Sequence, residues 1–311
     1  MNRLLARCLG RTVTARRAPA TLANPVVRER MAQQAESGQR TARGATGGGL
    51  AVHVHDLTVS FPSPDGRLTA LQDCSLDVAA GSFTVIIGPN GSGKSTLLRA
   101  IAGLLLPERG RVTIGPGPDA EEPGAGDPRV GIAFQQPRLL PWLTVAENVE
   151  LPLAVAGIER SERAQRTAAA LKQVGLADAA RLRPAELSGG MAQRAGLARA
   201  LVSDPPVLLL DEPFSALDAL TREAFDTELQ HLWLEQRRTL ILVTHSVGEA
   251  VRLADEVMVL SARPGSVARL VPVDLPRPRA VDVAAVEQEA AIRAALASVH
   301  PPELARWTST R

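Results

Sequence analysis

Gly88, Pro89, Asn90, Gly91, Ser92, Gly93, Lys94, Ser95 and Thr96 read GPNGSGKST and fit the pattern G-x-x-x-x-G-K-[ST] at every fixed position. They follow the apolar run SFTVIIG and open TLLRAIAGLL, so the segment joins a strand to a helix. Glycines let backbone N–H groups turn inward around phosphate oxygens, and a helix N-terminus adds the positive end of its dipole. In such a loop Lys94 would reach the β and γ phosphates and the Ser95 hydroxyl would take a place on Mg²⁺. A Gly-rich turn with a capping Ser accounts for the glycines but not for strand, lysine and helix together. Later in the chain VLLLDE ends an aliphatic run in two carboxylates. Asp211 then sits at the carboxyl edge of a sheet, where it can hold Mg²⁺, and Glu212 is free to orient and deprotonate an attacking water. Between these segments lies LSGGMAQR, Leu187–Arg194. Ser188 is a natural N-cap, and Met191, Ala195, Ala198 and Val202 recur at helical spacing. Gly189 and Gly190 leave the first turn bare, a second place for close phosphate approach.

The elements that must position these residues are legible as alternating strands and helices. In AVHVHDLTVSF the period-2 pattern slips by one near His55 and Asp56, which predicts a bulged strand. LQDCSLDV and SFTVIIG flank an Ala80-Gly81 turn, and the second is apolar throughout, as expected of a strand covered on both faces. From about 144 to 202 the chain reads as mostly helical; then follow the strand VLLLD, a helix through Glu223 to Leu234, the strand TLILVTH, a helix and the strand EVMVLSA. This alternation predicts a parallel α/β sheet. Residues 115–129 have the composition of a surface loop, and beyond Pro278 one amphipathic helix is expected, about Val283 to Leu296.

Composition narrows the function. With 311 residues and 45% hydrophobic content the chain can bury a sizeable core, which excludes a wholly disordered polypeptide. No apolar run approaches the roughly 18 residues that span a bilayer. Cys8 and Cys74 give neither metal spacing nor a disulfide framework. His53, His55, His231 and His300 also lack ligand spacing and are read, with Trp233, as structural. Residues 1–48 carry nine Arg against Glu29 and Glu36, while the remainder is mildly acidic, which argues against nucleic acid as a partner. That opening could be an organelle transit peptide; a disordered or wrongly assigned extension is favoured and is set apart from the fold.

The ordered motifs GPNGSGKST, FQQPRLLPW, LSGGM, LLLDEP, SALD and VTH resemble those of an ATP-binding cassette (ABC) ATPase subunit over roughly residues 50–270. The resemblance implies an α/β fold: a P-loop NTPase (RecA-like) core with an N-terminal antiparallel β region and an inserted α-helical subdomain. On this reading the ATPase domain spans 49–270, with the helical subdomain at about 139–202, and 271–311 is a tail with one helix. ATP and Mg²⁺ are the implied ligands. Gln135 matches the glutamine that senses Mg²⁺ and the attacking water, and His245 the switch histidine on the γ-phosphate. Ser188 and Gly190 match the signature motif that completes the ATP site of the opposite subunit in a head-to-tail dimer, and Asp218 the loop that links the two sites. Phe61 falls where the family stacks an aromatic ring on adenine. That residue is usually Tyr, which this chain lacks, and a core Phe on the first strand is an equal alternative.

PRLLPW, DALTR, THSVGEAVRLAD, LSARPG and LPRPR are similar to segments of importers of the nitrate, sulfonate and taurine group. Ser246 departs from the Asp that many relatives carry after the histidine. Arg138, Leu139, Leu140, Pro141 and Trp142 form an apolar and aromatic knob that by itself would be read as packing on its own domain. Under the resemblance it becomes a contact to a permease helix. The implied protein is a peripheral ATPase on the cytoplasmic face of the inner membrane, acting with a second copy of itself, an integral membrane permease and, indirectly, a periplasmic solute-binding protein. The alternatives are a soluble ABC ATPase with no transport role, which usually shows twin cassettes or coiled-coil insertions, and an inactive nucleotide-binding regulator. Lys94, Asp211, Glu212 and His245 all being present disfavours the latter. The solute stays open among nitrate, alkanesulfonate, taurine and a pyrimidine precursor.

Residues 1–48 lack periodic apolar positions, so a chain beginning near Gly49 is expected to keep full ATPase activity and stability. Thermal melting of the truncated chain checks this, and a drop of several degrees would show that the segment packs.

Overall fold

The computed structural model describes residues 48–299 apart from 65, 118–119, 216–218 and 280–281, with backbone alone for 219–220. Asp218, Cys8, His300 and all but the last residue of the 1–48 extension therefore lie outside the described residues. Two sheets form the frame. The smaller is antiparallel, in the order β2-β1-β4, with β1 at Val52–Ser63, β2 at Gly66–Val78 and β4 at Arg109–Ile114. The expected slip in β1 is real: register shifts fall between Val54 and Leu57 and again before Val59, and Asp56 adopts a left-handed φ of 47°.

The larger sheet runs β5-β6-β7-β3-β8-β9, with β3 at Phe83–Ile87, β5 at Val130–Ala133, β6 at Val207–Asp211, β7 at Thr239–Val243, β8 at Glu256–Leu260 and β9 at Val267–Pro272. All its neighbours are parallel except β9, which returns antiparallel along β8. Every residue of β3, β6 and β7 is buried, and their alternation sorts side chains to the two faces. Phe83, Val85, Leu208, Leu210, Leu240 and Leu242 join one core; Ile86, Val207, Leu209, Ile241 and Val243 join the other. The second core is closed by α1, at Lys94–Ile101, and by the small sheet. The first is closed by α2 at Val145–Val155, α3 at Arg160–Gln173, α4 at Gly189–Leu201, α5 at Ala219–Gln236, α6 at Val247–Leu253 and α7 at Val283–Val299. Unbroken aliphatic runs are what a strand covered on both faces requires, since each outward-turned Leu or Val would forfeit about 1.5–3 kcal/mol of burial.

β4, β5 and β9 were not anticipated. β5 has four residues and β9 is an edge strand carrying Arg269, so neither shows the apolar run that marks the central strands. The expected loop at 115–129 also makes one antiparallel bridge, Ile114 to Glu121. The helix expected at Val283–Leu296 runs to Val299. Cys74 is buried, and its burial pushes the thiol pKa up to about 12, an inert state. Trp233 is buried against Phe83. His53 shares a 2.7 Å hydrogen bond with Asp77, which raises its pKa.

The LPRPR segment is a lock between the C-terminal region and the sheet. Arg279 donates to the carbonyls of Val251 and Ala254 at the end of α6 and to Val273 and Leu275 beyond β9. Burial, with Arg277 nearby, lowers its pKa to about 10. Arg277 bonds Leu253 O and Asp255 and lies over the rings of Phe83 and Trp233. Arg279→Ala strips partners from several carbonyls at once and should destabilise the fold by about 2–4 kcal/mol. Arg279→Lys should recover only part of this, because one ammonium does not span the same acceptors; urea unfolding midpoints measure both.

Candidate active site

β3 ends at Ile87 and the chain turns through Gly88–Gly93 into α1. Gly93 takes φ 93°, and a Cβ there would meet Leu71 Cδ2 at 2.7 Å and Ala70 O at 2.9 Å, so only glycine lets the loop close against β2. Gly93 caps α1 without a side chain and no acid occupies the first turn, which leaves the helix N–H groups open to an anion. The Ser92 hydroxyl is buried without a hydrogen-bond partner among the described residues. Lys94 is 6% exposed, and its Nζ donates to Gly88 O at 3.0 Å and Pro89 O at 2.9 Å. Burial lowers its pKa, while the charges of Glu212 and Asp211 act the other way.

Asp211 closes β6 and is buried; its Oδ1 accepts from Ser95 Oγ at 2.9 Å. Burial raises its pKa against that hydrogen bond, so the carboxylate is held where a cation would relieve it. Glu212 follows with a left-handed φ of 46°, a conformation that costs a residue with a side chain about 1–2 kcal/mol. It is fixed by Glu212 N donating to Val243 O at 2.9 Å and by Ser215 Oγ donating to Glu212 O at 3.1 Å. The turn lifts the carboxylate clear of the strand. Its Oε2 accepts from Gln135 Nε2 at 2.9 Å, and His245 Nδ1 lies 3.8 Å from the same oxygen. Three loops thus meet at one carboxylate.

Lys94, Gln135, Glu212 and His245 line a cleft of about 760 Å³ together with Asn90, Gly91, Ser92, Gly93, Ser95, Thr96, Phe61 and Leu68. Phe61 pairs across the β1–β2 hairpin with Leu68, and both reach the cleft. Phe61 also packs on the core beneath, as the structural alternative expected. Ser188, Gly189 and Gly190 are not in the cleft wall: Ser188 Oγ caps α4 by accepting from Met191 N at 3.3 Å, and both Ser188 and Gly189 are exposed. No cluster of three or more His, Cys, Asp or Glu suited to a metal occurs among the described residues. Ser95 Oγ and Asp211 Oδ1 are the side-chain oxygens paired beside the phosphate loop.

Three linking groups escaped the sequence reading. Gln193, buried on α4, donates from Nε2 to Gln135 O at 2.6 Å, and Arg199 on the same helix holds the carbonyls of Pro137 and Arg138. Their one signal was a polar pair of positions on a helix of small apolar residues. Glu249, also buried, accepts from Thr244 Oγ1 at 2.6 Å, next to His245. Ser246 caps α6 by accepting from Glu249 N at 3.2 Å, a task its hydroxyl performs without the charge of an Asp. In the 138–142 knob Asn148 fixes Leu140 through both N and O, at 2.7 and 3.1 Å. Leu139 packs on the chain's own core, whereas Trp142 is 67% exposed.

Comparison with known proteins bears on this geometry. A family described as ABC transporter matches residues 71–215. A putative ATP-binding protein of Brucella abortus is 46% identical over 73% of this chain and 86% of its own. The taurine import ATP-binding protein TauB of Pseudomonas aeruginosa is 45% identical over 71% of this chain and 82% of its own. The aliphatic sulfonates import ATP-binding protein SsuB of Rhodopseudomonas palustris is 48% identical over 77% and 82%. Among solved structures, a dimeric post-hydrolysis state of the ATP-binding cassette MJ0796 bound to ADP and Pi superimposes with a TM-score of 0.65 at 33% identity, over 72% of this chain and all of that one. At these identities, over more than two thirds of its length, the chain belongs to the ATP-binding cassette family of ABC transporters and is one of its ATPases.

Proposed function

We propose that this chain is the ATP-hydrolysing subunit of an importer for a small solute of the nitrate, sulfonate and taurine class. The observation that carries the catalytic part is the meeting of Gln135, His245 and Glu212 at Glu212 Oε2, beside the Ser95–Asp211 pair. Lys94, held over the loop carbonyls, is placed to exchange them for phosphate oxygens. Ser95 and Asp211 would hold Mg²⁺, which when bound neutralises charge on the β and γ phosphates. Glu212 takes the proton of the attacking water, Gln135 orients that water, and His245 steadies the γ-phosphate side. Phe61 offers its ring to adenine.

The names of the taurine and sulfonate relatives support import through a partner permease, and the dimeric MJ0796 cassette supports a two-fold pair. Among the described residues no helix is long and apolar enough to cross a membrane, so a separate permease would supply the path. Trp142, exposed on a loop that Asn148 holds rigid, is the side chain of the 138–142 knob best placed to dock on it; Leu139 serves the fold. Such a subunit works at the cytoplasmic face of the inner membrane, with a periplasmic solute-binding protein acting at the far side. The proposed division is an ATPase domain over 49–270, a helical subdomain over about 139–202 and a tail over 271–311.

Glu212→Gln keeps shape and hydrogen bonding but removes the base. ATP should still bind while hydrolysis falls on the order of 10²- to 10⁴-fold; turnover near wild type in a phosphate-release assay would refute the assignment. The start of α4, where Ser188 and Gly189 are exposed and outside the cleft wall, predicts a shared site, closed by the partner copy. In a mixed dimer of one chain with Lys94→Ala and one with Ser188→Arg, both also Glu212→Gln, the two lesions fall in one pocket and the other is whole. One trapped ATP per dimer is expected. None in a dimer shown to assemble would mean that each chain uses its own signature segment.

A further inference from the structure

The turn between β8 and β9 is clamped against the phosphate loop by backbone contacts that leave it no freedom to drift. A Cβ on Gly265 would fall 1.9 Å from Ser92 O. Gly265 N donates to Ala70 O at 2.9 Å, and Gly265 O accepts from Gln72 N at 3.0 Å, which ties the same turn to β2. Ser261 N donates to Ser266 O at 2.9 Å, and Ser266 N to Ser261 Oγ at 3.0 Å, which close the turn on itself. Arg263 stands inside this clamp. Its Nη2 is 3.7 Å from the position a Cβ on Gly91 would take, and the residue lines the cleft beside Asn90 and Gly91.

Other arginines of this region are committed: Arg277 and Arg279 bond carbonyls, and Arg199 holds the loop after Gln135. Arg263 is exposed, and its guanidinium makes no ion pair or hydrogen bond among the described residues. Lys94, the cation within the loop, already shares its charge with Asp211 and Glu212. A guanidinium with five donors, carried on a tied-down turn and 3.7 Å from the Cβ position of Gly91 in a loop suited to phosphate, lacks only its anion.

We propose that Arg263 is a nucleotide-binding residue, whose guanidinium holds the phosphate chain of ATP from outside the P-loop. This rests on the ATPase reading above and adds a contact that neither the motif nor the comparisons assign.

Equilibrium binding of ATP to the full chain and to R263K, R263M and R263A tests it, with Tm recorded for each. Loss of the charge in R263M and R263A should raise the Kd for ATP about tenfold, the size of one charge-assisted hydrogen bond. R263K should recover most of that affinity, and the salt dependence of binding should fall in R263M and R263A but persist in R263K. Wild-type affinity in all three variants overturns the proposal. So does recovery by R263M equal to that by R263K, which would make the side chain a packing group, and so does equal weakening of all three with lowered Tm, which would make it a prop for the turn. Absence of ATP binding by the unaltered chain, with Lys94→Ala no different, would instead overturn the ATPase reading itself.

Discussion

The parallel ladder joining β3, β6 and β7 is the constraint on which the site depends. Ile86 stands opposite Val243, and Asp211 opposite the same Val243, so the three strands end level. Neighbouring strands lie about 4.8 Å apart, and the chain leaving each end is thereby delivered to one edge: the phosphate loop from β3, Asp211 and Glu212 from β6, and Thr244 and His245 from β7. Parallel strands place all their carboxyl ends together, and an antiparallel partner would have sent one of these loops to the far side. Two-sided burial keeps the register from slipping, because a shift by one residue would exchange the Leu208 and Leu209 faces between two separate cores.

From that edge the site is linked to the helices by polar groups that add little net stability. Asp226 on α5 is buried and paired with Arg252 on α6 at 2.6 Å, yet its pKa rises to about 6, burial outweighing the hydrogen bond. For a carboxyl whose folded pKa lies above the unfolded 3.9, stability is lost as pH rises from about 4 to 6, because the native state binds more protons there. The pair is better understood as fixing the angle between α5 and α6. Glu249 continues the connection, taking Thr244 Oγ1 at one oxygen and lying 3.6 Å from Arg222 Nε at the other. Thr244, thus held, immediately precedes His245. Gln135 is held in the same manner from α4 through Gln193.

The central strands and the phosphate loop were legible because their physics is local. VLLLD and SFTVIIG declare burial on both faces, and GPNGSGKST carries its glycines, lysine and serine within one turn. β5 and β9 were not, since a four-residue strand and an edge strand with Arg269 owe their state to the neighbour they pair with. At the candidate site, spacing points to Lys94, Ser95, Asp211 and Glu212, and resemblance to Gln135 and His245. That Gln135 and His245 come together at Glu212 Oε2 belongs to the fold alone. Gln193 and Arg263 act across 58 and, from Arg263 to Gly91, 172 positions, distances over which sequence periodicity carries no signal.

The charge chemistry of the chain follows the same division between fold and site. Of 35 basic residues only Lys94 and Lys172 are lysines. Arg279 and Arg199 each bridge two or more carbonyls, and Arg129 grips Asp127 while reaching Ile114 O. A planar fork with five donors does this with little loss of freedom per bond. The inside of the phosphate loop is a different problem. There Lys94 rests against Gly88 O and Pro89 O, and under the proposed function it would leave them for phosphate oxygens as these enter. A compact ammonium with three rotatable donors can change partners without moving the loop, whereas a guanidinium, fixed by its plane, would either hold the carbonyls or crowd the glycines. Arg263 can be an arginine because it approaches from an outer, separately clamped turn, where a rigid fork has room. In a chain so committed to arginine, Lys94 stands where the proposed chemistry would require a charge that can let go.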